Sequence, residues 1–427
     1  MLTIFKKLVS HLQFNYTSYF ILLAIDKIVN IIYTLYIVKL LTESEYGIYG
    51  FTISFSSYAS NILLLGIGTP IVVIIGKSEY LKKNIESILV KLLSFSLILY
   101  LALAFFIYFY SNSLSEIFYD DIKNKIFLFV LLLIILLDTI VVYKSLSFRL
   151  LDGFVDNASF LLKSNSIKIL VFIFVILISK NFFYAFFSSA ICTLIFVLLS
   201  DGFFKKIKNN IVFSVDFTIF KNEILIIKEG IPFLFIYFLM NFSLYLINFL
   251  IVNKLSLENY ATYNFNFTLA FLPMSFISYI VFYSFPKYVS NSYSKNLNKQ
   301  LILDLTLGLF FILIYYVLTF FIYNYLLDLV GKSSYSNFSL FSIIYFSMVM
   351  TAIINFLYFP LLNDKRYLRI ICIISISIFV NIAFLLINNV FKIHTPSIGL
   401  ILSQLTIFIL FLFSINEKKV SIHSSSK

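Results

Sequence analysis

Two stretches of the 427-residue chain are near copies of each other, and they lie 214 residues apart, about half of its length. The first covers residues 38–51 and the second covers residues 252–265, and each joins one long apolar segment to the next. No gap is needed to align the matching positions, which are Val38, Leu41, Thr42, Tyr46, Tyr49 and Phe51 with Val252, Leu255, Ser256, Tyr260, Tyr263 and Phe265. The chain is therefore predicted to consist of two similar halves, each containing the same membrane hairpin.

The composition is that of a membrane protein. Hydrophobic residues make up 61% of the chain and charged residues 12%, whereas a soluble domain carries about 25% charge. A bilayer core requires about 20 apolar residues per helix, and lipid leaves helices as the economical way to satisfy the backbone. Continuous apolar runs, rather than short alternating strands, exclude a β-barrel. Twelve such segments are predicted, at 14–38, 50–75, 88–110, 126–148, 160–179, 183–200, 226–252, 264–286, 301–327, 338–361, 368–390 and 397–415.

These segments predict an all-α membrane protein with about twelve transmembrane helices in two pseudo-symmetric six-helix lobes around a central cavity. The predicted N-lobe covers 1–205, a cytoplasmic linker 206–225, the C-lobe 226–415 and a cytoplasmic tail 416–427. The connections are too short for a soluble domain, which excludes ATPase modules and large extramembrane catalytic domains. Membrane proteins built from two similar halves are most often transporters in which one half rocks against the other.

The basic residues predict the orientation. With the N-terminus inside, the inner segments carry 24 of the 32 Lys and Arg residues and the outer segments carry six. This asymmetry satisfies the positive-inside rule and places both termini in the cytoplasm, in the cytoplasmic (inner) membrane. The net charge of +12 therefore reflects topology, and without a soluble basic face a nucleic-acid partner is not expected. The first span is too long for a signal-peptide core and is predicted to be retained.

Polar residues at helical spacing occur in the first and seventh spans. A charge near the centre of a span costs about 2.5–3.5 kcal/mol on insertion scales, so Asp26 and Lys27 are expected to face a cavity or a partner helix. Matched stripes on the two spans suggest two walls of one cavity. The alternative is a structural ion pair and interhelical hydrogen bonds that hold the bundle together, worth about 0.6 kcal/mol per pair. With Asn61 of the second span, the candidate substrate-cavity residues are Asp26, Lys27, Asn30, Tyr33, Asn61, Tyr237, Asn241, Tyr245 and Asn248.

Other features of the spans admit two interpretations. The second span ends in Gly66-Ile67-Gly68-Thr69-Pro70, where Gly and Pro could form a hinge or allow close helix packing. Asp138 lies well inside the fourth span and, with Asp26, is a candidate for coupling to protons or sodium ions. Cys192 and Cys372 lie in apolar segments, and the three histidines are isolated, so no disulfide, metal site or cofactor is expected.

The loop after the first span has a family resemblance. The run Leu41-Thr42-Glu43-Ser44-Glu45-Tyr46-Gly47-Ile48-Tyr49, followed by Gly66-Ile67-Gly68, resembles the polysaccharide-flippase branch of the multidrug/oligosaccharidyl-lipid/polysaccharide exporter (MOP) superfamily. The resemblance implies two six-helix lobes with a V-shaped cavity. It also implies flipping of undecaprenyl-diphosphate-linked sugar units for O-antigen-type or capsule-type surface polysaccharide, including lipopolysaccharide. Lys27 would then receive the anionic diphosphate, and Tyr, Asn and Ser would hydrogen-bond the sugar.

The functional prediction is a non-enzymatic lipid-linked oligosaccharide flippase that works by alternating access, with polysaccharide polymerase machinery as a further expected partner. One alternative is a small-molecule exporter. The other is a carrier-lipid-dependent polymerase or glycosyltransferase, for which Glu43 and Glu45 would be the catalytic acidic pair. Against that enzyme, the repeat counterparts of these two residues are Leu257 and Asn259.

Overall fold

The computed structural model describes residues 14–64, 85–119, 122–150, 153–200, 221–290, 295–363, 366–388 and 392–424. These residues are helical with no strand, in agreement with the predicted all-α class. The N-terminal half contains α1 (Phe14–Leu40), α2 (Glu43–Leu63), α3 (Ile85–Phe109), α4 (Ser111–Tyr119), α5 (Ile126–Leu150), α6 (Phe154–Ser179) and α7 (Phe182–Leu199). The C-terminal half contains α8 (Lys221–Lys254), α9 (Leu257–Ser290), α10 (Lys295–Val330), α11 (Phe338–Asn363), α12 (Tyr367–Ile387) and α13 (Thr395–Ser424).

Twelve of the helices in the described ranges are long, and they match the twelve predicted apolar segments. Nine helices in these ranges are long and apolar enough to cross a membrane, so the chain is a multi-pass membrane protein. The other three long helices are α2, α9 and α11. The described apolar part of α11, Phe338–Ile354, is shorter, whereas α2 and α9, which follow the repeated loops, carry more polar residues. Ser56, Ser60 and Asn266, for example, are buried within them.

Helix contacts divide the chain into two lobes. The first lobe is held by contacts of α6 with α7, of α1 with α6 and of α2 with α5. The second is held by contacts of α9 and α13 with α11 and of α12 with α13. The most extensive contact between the lobes joins α2 to α9, and we call this contact the seam.

One sequence prediction lies outside the described ranges, and two others overlap them only in part. The Gly66–Pro70 stretch and most of the predicted linker 206–225 lie outside the described residues. The helix that follows this linker, α8, already begins at Lys221. At the other end, α13 continues to Ser424, into the stretch predicted to be the polar tail.

The two repeated loops begin their helices with the same kind of side-chain N-cap. Thr42 caps α2 by accepting a hydrogen bond from the backbone N–H of Glu45 (3.3 Å), and the Glu45 carboxylate accepts one from the Thr42 N–H (2.9 Å). In the second copy, the Ser256 hydroxyl accepts a hydrogen bond from the N–H of Asn259 (3.1 Å). Such caps satisfy backbone N–H groups that the first helical turn leaves unpaired. The duplication therefore sets where both seam helices begin.

The seam is close-packed where the repeats meet. A Cβ on Gly47 would collide with the backbone carbonyl of Leu257, and a Cβ on Gly50 would collide with the side-chain amide of Asn264. Position 264 is the repeat counterpart of position 50. Two equivalent residues face each other directly only on a twofold axis, so this pair marks the pseudo-twofold axis that relates the lobes.

Candidate substrate site between the lobes

In the part of the chain that the structure describes, two crevices lie between the lobes. The polar crevice, of about 110 Å³, lies between α1 and α9. The aromatic crevice, of about 250 Å³, lies between α2 and α8 and also contacts the short helix α4. The polar crevice is lined by Lys27, Asn30, Ile31, Thr34, Leu35, Thr268, Leu269, Phe271 and Leu272. The aromatic crevice is lined by Phe51, Ser54, Phe55, Tyr58, Phe118, Phe242, Tyr245, Leu246, Asn248 and Phe249.

The repeat relates the two crevices to each other. With the offset of 214 residues, six residues that line the polar crevice have counterparts that line the aromatic one. The pairs are Ile31 and Tyr245, Thr34 and Asn248, Leu35 and Phe249, Thr268 and Ser54, Leu269 and Phe55, and Leu272 and Tyr58. The crevices are thus the same site formed twice, with different side chains.

The polar crevice contains the only charged side chain among the described residues that line either crevice, that of Lys27. Its ammonium group lies 3.8 Å from the carboxylate of Asp26. Asn30, one turn further along α1, donates a hydrogen bond to the backbone carbonyl of Asp26 (2.8 Å). The Lys27 ammonium group and the Asn30 amide give the crevice donors suited to an anionic ligand. The hydroxyls of Thr34 and Thr268 donate to the backbone carbonyls of Asn30 (2.9 Å) and Asn264 (2.8 Å), so they face the crevice as acceptors.

The two predicted coupling carboxylates lie inside the N-lobe and not among the residues that line the crevices. Asp26 is 1% exposed and accepts a hydrogen bond from the amide of Asn165 on α6 (2.7 Å). Asp138 accepts a hydrogen bond from the Ser56 hydroxyl (2.9 Å), and the charge of Lys168 acts on its carboxylate. Asp26 therefore contacts both the interior of the N-lobe, through Asn165, and the polar crevice, through Lys27.

Aromatic rings from both lobes meet in the aromatic crevice. The ring of Tyr58 on α2 lies 3.9 Å, between centroids, from that of Tyr245 on α8. Phe118 of α4 packs against Phe55 at 4.8 Å. Beside these rings, the amide of Asn253 on α8 donates a hydrogen bond to the carbonyl of Ile117 (3.1 Å). The short helix α4 therefore covers this crevice.

The remaining predicted cavity residues occupy different positions. Tyr245 and Asn248 line the aromatic crevice. Tyr237 lies close to Tyr58 and Asn61, across the lobes, and Asn241 donates to the backbone carbonyl of Tyr237 (2.8 Å). The structure thus brings Asn61 and Tyr237 together beside the aromatic crevice.

Tyr33 instead lies within the N-lobe. It is buried, and its ring packs edge-on against Phe172 of α6 at 5.9 Å. Helix α6 covers this side of α1. The polar residues predicted on the first span therefore lie in two different environments. Asp26 and Tyr33 contact the interior of the lobe, whereas Lys27 and Asn30 contact the polar crevice.

Sequence reasoning missed the residue that covers one end of the seam. Tyr335, in a short 3-10 turn (Ser333–Tyr335), is fully buried. Its ring packs against Tyr46 of the first repeat at 6.0 Å and against Phe265 of the second at 5.6 Å. Burial, and then the nearby charges of Glu43 and Glu258, raise the pKa of the Tyr335 hydroxyl above its usual range. No sequence signal marks this turn, because its role depends on contacts with both repeats.

The acidic pair proposed for an enzymatic alternative has structural partners. Glu45 takes part in the cap of α2, and Glu43 accepts a hydrogen bond from Ser334 (2.5 Å) beside the turn that covers the seam. Within the described ranges, no three His, Cys, Asp or Glu side chains are grouped so that they could hold a metal ion.

Comparisons with known proteins agree with this architecture. The family model for polysaccharide biosynthesis proteins matches residues 14–292, well over half of the chain. A search of curated protein sequences gives no match. Among solved structures, a crystal structure of MATE in complex with MaL6 matches with a TM-score of 0.67 at 15% identity, covering 95% of each chain.

Two other similar structures have TM-scores of 0.66 at 14% identity. One is the inward-facing conformation of a multidrug resistance MATE family transporter of the MOP superfamily, with 92% of this chain and 96% of that chain covered. The other is a MOP superfamily transporter from Pyrococcus furiosus, described as having a binding pocket of reverse polarity that suggests a different function, with 96% and 95% covered. The predicted resemblance and the two-lobed fold are confirmed. The chain belongs to the polysaccharide biosynthesis protein family and has the two-lobed fold of MATE transporters of the MOP superfamily.

Proposed function

We propose that the protein flips undecaprenyl-diphosphate-linked oligosaccharide units across the cytoplasmic membrane, by alternating access between its lobes, for surface polysaccharide biosynthesis. The observation that carries the proposal is the polar crevice between the lobes, with Lys27 and Asn30 on its wall, in a member of a polysaccharide biosynthesis family. A diphosphate group pairs well with a lysine ammonium and amide donors. The lobe-to-lobe crevice allows the lipid tail to stay in the membrane while the head group enters.

The positive-inside rule supports an orientation in which the seam end that carries Tyr335 lies on the outer face of the membrane. In this arrangement the repeated loops and Tyr335 form the outer gate. Rocking of the lobes opens this gate when the substrate is released to the outer leaflet. The Glu43–Ser334 hydrogen bond breaks in that step.

A proton or sodium gradient is the proposed driving force, and Asp26 is the first candidate for the coupling carboxylate. Its contact with Lys27 places the carboxylate in competition with an anionic substrate for the same ammonium group. Asp138, paired with Ser56 in the same lobe, is the second candidate. In proteoliposomes, Asp26→Asn is expected to make flipping independent of an imposed pH or sodium gradient, whereas a gradient response equal to that of the wild type would exclude Asp26.

Flipping is tested in proteoliposomes that contain lipid-linked oligosaccharide in both leaflets. Membrane-impermeant periodate oxidises only the glycans of the outer leaflet, so about half stay protected in protein-free vesicles. With the protein present, all glycans are expected to become accessible, and Lys27→Ala is expected to slow this. Continued protection of half of the glycan in the presence of folded protein would contradict the proposal. Efflux of a cationic dye without glycan exposure would favour a small-molecule exporter, and elongated glycans would favour a polymerase.

A further inference from the structure

We propose that the aromatic crevice binds a sugar ring of the glycan, separately from the diphosphate, which binds at the polar crevice. This inference rests on the proposed function and adds a second subsite to it. It divides an amphiphilic substrate between two repeat-related sites according to the chemistry of each site.

The side chains of the aromatic crevice suit a neutral, hydroxylated ring. Among the described residues that line it, none is charged, so it offers no counter-charge to a phosphate. Phe55, Phe118, Phe242 and Phe249 provide ring surfaces. A pyranose has a face of C–H groups that packs on aromatic rings and a rim of hydroxyls that requires hydrogen-bond partners. Tyrosine combines an apolar body with a polar tip.

Polar groups occur at intervals among these rings. Ser54 and Asn248 line the aromatic crevice, and the Ser54 hydroxyl lies 3.3 Å from that of Tyr260. A polyprenyl chain offers no hydrogen-bond partner to the side-chain amide of Asn248, and burying that amide against the chain would cost free energy. The hydroxyls of a sugar can form hydrogen bonds with this amide.

The size of the crevice supports the same assignment. A volume of about 250 Å³ lies just below the range of about 300–1,000 Å³ that is typical of pockets for drug-sized ligands. One sugar ring fits such a space. The polar crevice, of about 110 Å³, is smaller still and matches a phosphate group better than a ring.

The absence of tryptophan from the chain makes a fluorescence test direct. Phe118→Trp and, as a second reporter, Phe249→Trp place a single tryptophan in the aromatic crevice. Phe271→Trp is the matched control, because Phe271 lines the polar crevice and is 41% exposed, against 38% for Phe249. The probes are the lipid-linked oligosaccharide that accumulates in cells lacking the protein, its glycan released by mild acid, and undecaprenyl diphosphate without sugar.

The released glycan is expected to shift the emission of the Phe118→Trp and Phe249→Trp proteins in a saturable manner, without affecting Phe271→Trp. Loss of a ring contact through Tyr58→Leu, the residue found at its repeat counterpart, should weaken glycan binding by about twofold to tenfold. Undecaprenyl diphosphate should leave both reporters unchanged.

Three results would overturn the inference. An equal shift with undecaprenyl diphosphate would place the lipid tail in the aromatic crevice, and a shift with a cationic dye alone would identify a drug site. No shift with released glycan in either folded reporter would exclude a sugar site there. If no glycan-bearing lipid accumulates in cells lacking the protein, the proposed function itself fails, so the two failures are distinguishable.

Discussion

The polar and aromatic crevices occupy equivalent places in the two repeats, and they differ in almost every side chain that lines them. Tyr58 and Tyr245 of the aromatic crevice replace Leu272 and Ile31 of the polar one. The seam between the crevices has kept its aromatic residues: tyrosines at 46 and 260 and phenylalanines at 51 and 265 occupy equivalent positions and are all buried. The duplication therefore preserved the contact that joins the lobes, while the two sites beside it diverged.

The largest expected effect is on the seam, because both crevices depend on it. Gly47→Val would drive a side chain into the backbone carbonyl of Leu257, which cannot move as a flexible side chain could. Overpacking of this kind costs about 1–3 kcal/mol, and we expect a lower unfolding temperature in detergent and loss of flipping. The matched control is Ala261→Gly, at the repeat counterpart of Gly47. Unfolding of Gly47→Val at the wild-type temperature would contradict the close-packed seam.

The next largest effect is expected from removing the charge of the polar crevice. Lys27→Ala removes the ammonium group from the polar crevice, and substrate affinity should fall by about tenfold to a hundredfold because a hydrogen bond to a charged group is lost. Asn241→Ala, at the repeat counterpart, is expected to have little effect. Binding is measured with the lipid-linked oligosaccharide in detergent. Similar losses in both variants would show that the loss is not specific to the ammonium group of the polar crevice.

A smaller effect is expected when the side chains of one crevice are placed in the other. The double variant Ile31→Tyr with Leu272→Tyr copies the tyrosines of the aromatic crevice into the polar one. Two rings exceed a space of about 110 Å³ and should cover Lys27, so flipping should slow by roughly tenfold, equivalent to about 1.4 kcal/mol. The reverse exchange, Tyr58→Leu with Tyr245→Ile, is the control for folding. Wild-type flipping by the first variant would show that the polar crevice is not on the substrate path.

The smallest effect is expected from polar residues exchanged between repeat counterparts. Thr34→Asn and Asn248→Thr each keep a hydrogen-bonding group at its crevice. One neutral hydrogen bond contributes about 0.5–1.5 kcal/mol, so glycan or lipid-linked substrate affinity should change by less than about tenfold. Titration of each variant with both probes would measure this. A complete loss of binding in either variant would show that the residue contributes more to binding than one hydrogen bond.

Much of the architecture could be predicted from the sequence, because its signals are local or periodic. The apolar segments are long enough to define the helices, and the offset of 214 residues identifies the two loops that meet at the seam. The caps at Thr42 and Ser256 follow from residue type and spacing alone. The resemblance carried by residues 41–49 led to the correct family.

The site was harder to predict, because a polar stripe does not reveal which helix will cover it. Asp26 and Lys27 are neighbours in the sequence, yet Asp26 bonds Asn165 inside the N-lobe whereas Lys27 lines the polar crevice. The different surroundings of Asp26 and Lys27 result from the packing of α6 on α1. This packing brings together residues that are about 140 positions apart in the sequence. Tyr335 could not be predicted for the same reason, because its packing against Tyr46 and Phe265 depends on how the two repeats come together.

The meeting of Gly50 and Asn264 on the pseudo-twofold axis has a consequence for how the two halves can associate. Two copies of the N-terminal half would bring glycine against glycine and leave a gap at the centre of the interface. Two copies of the C-terminal half would bring asparagine against asparagine, with no room for both amides. At this position the contact between the lobes therefore fits two different halves better than two identical ones.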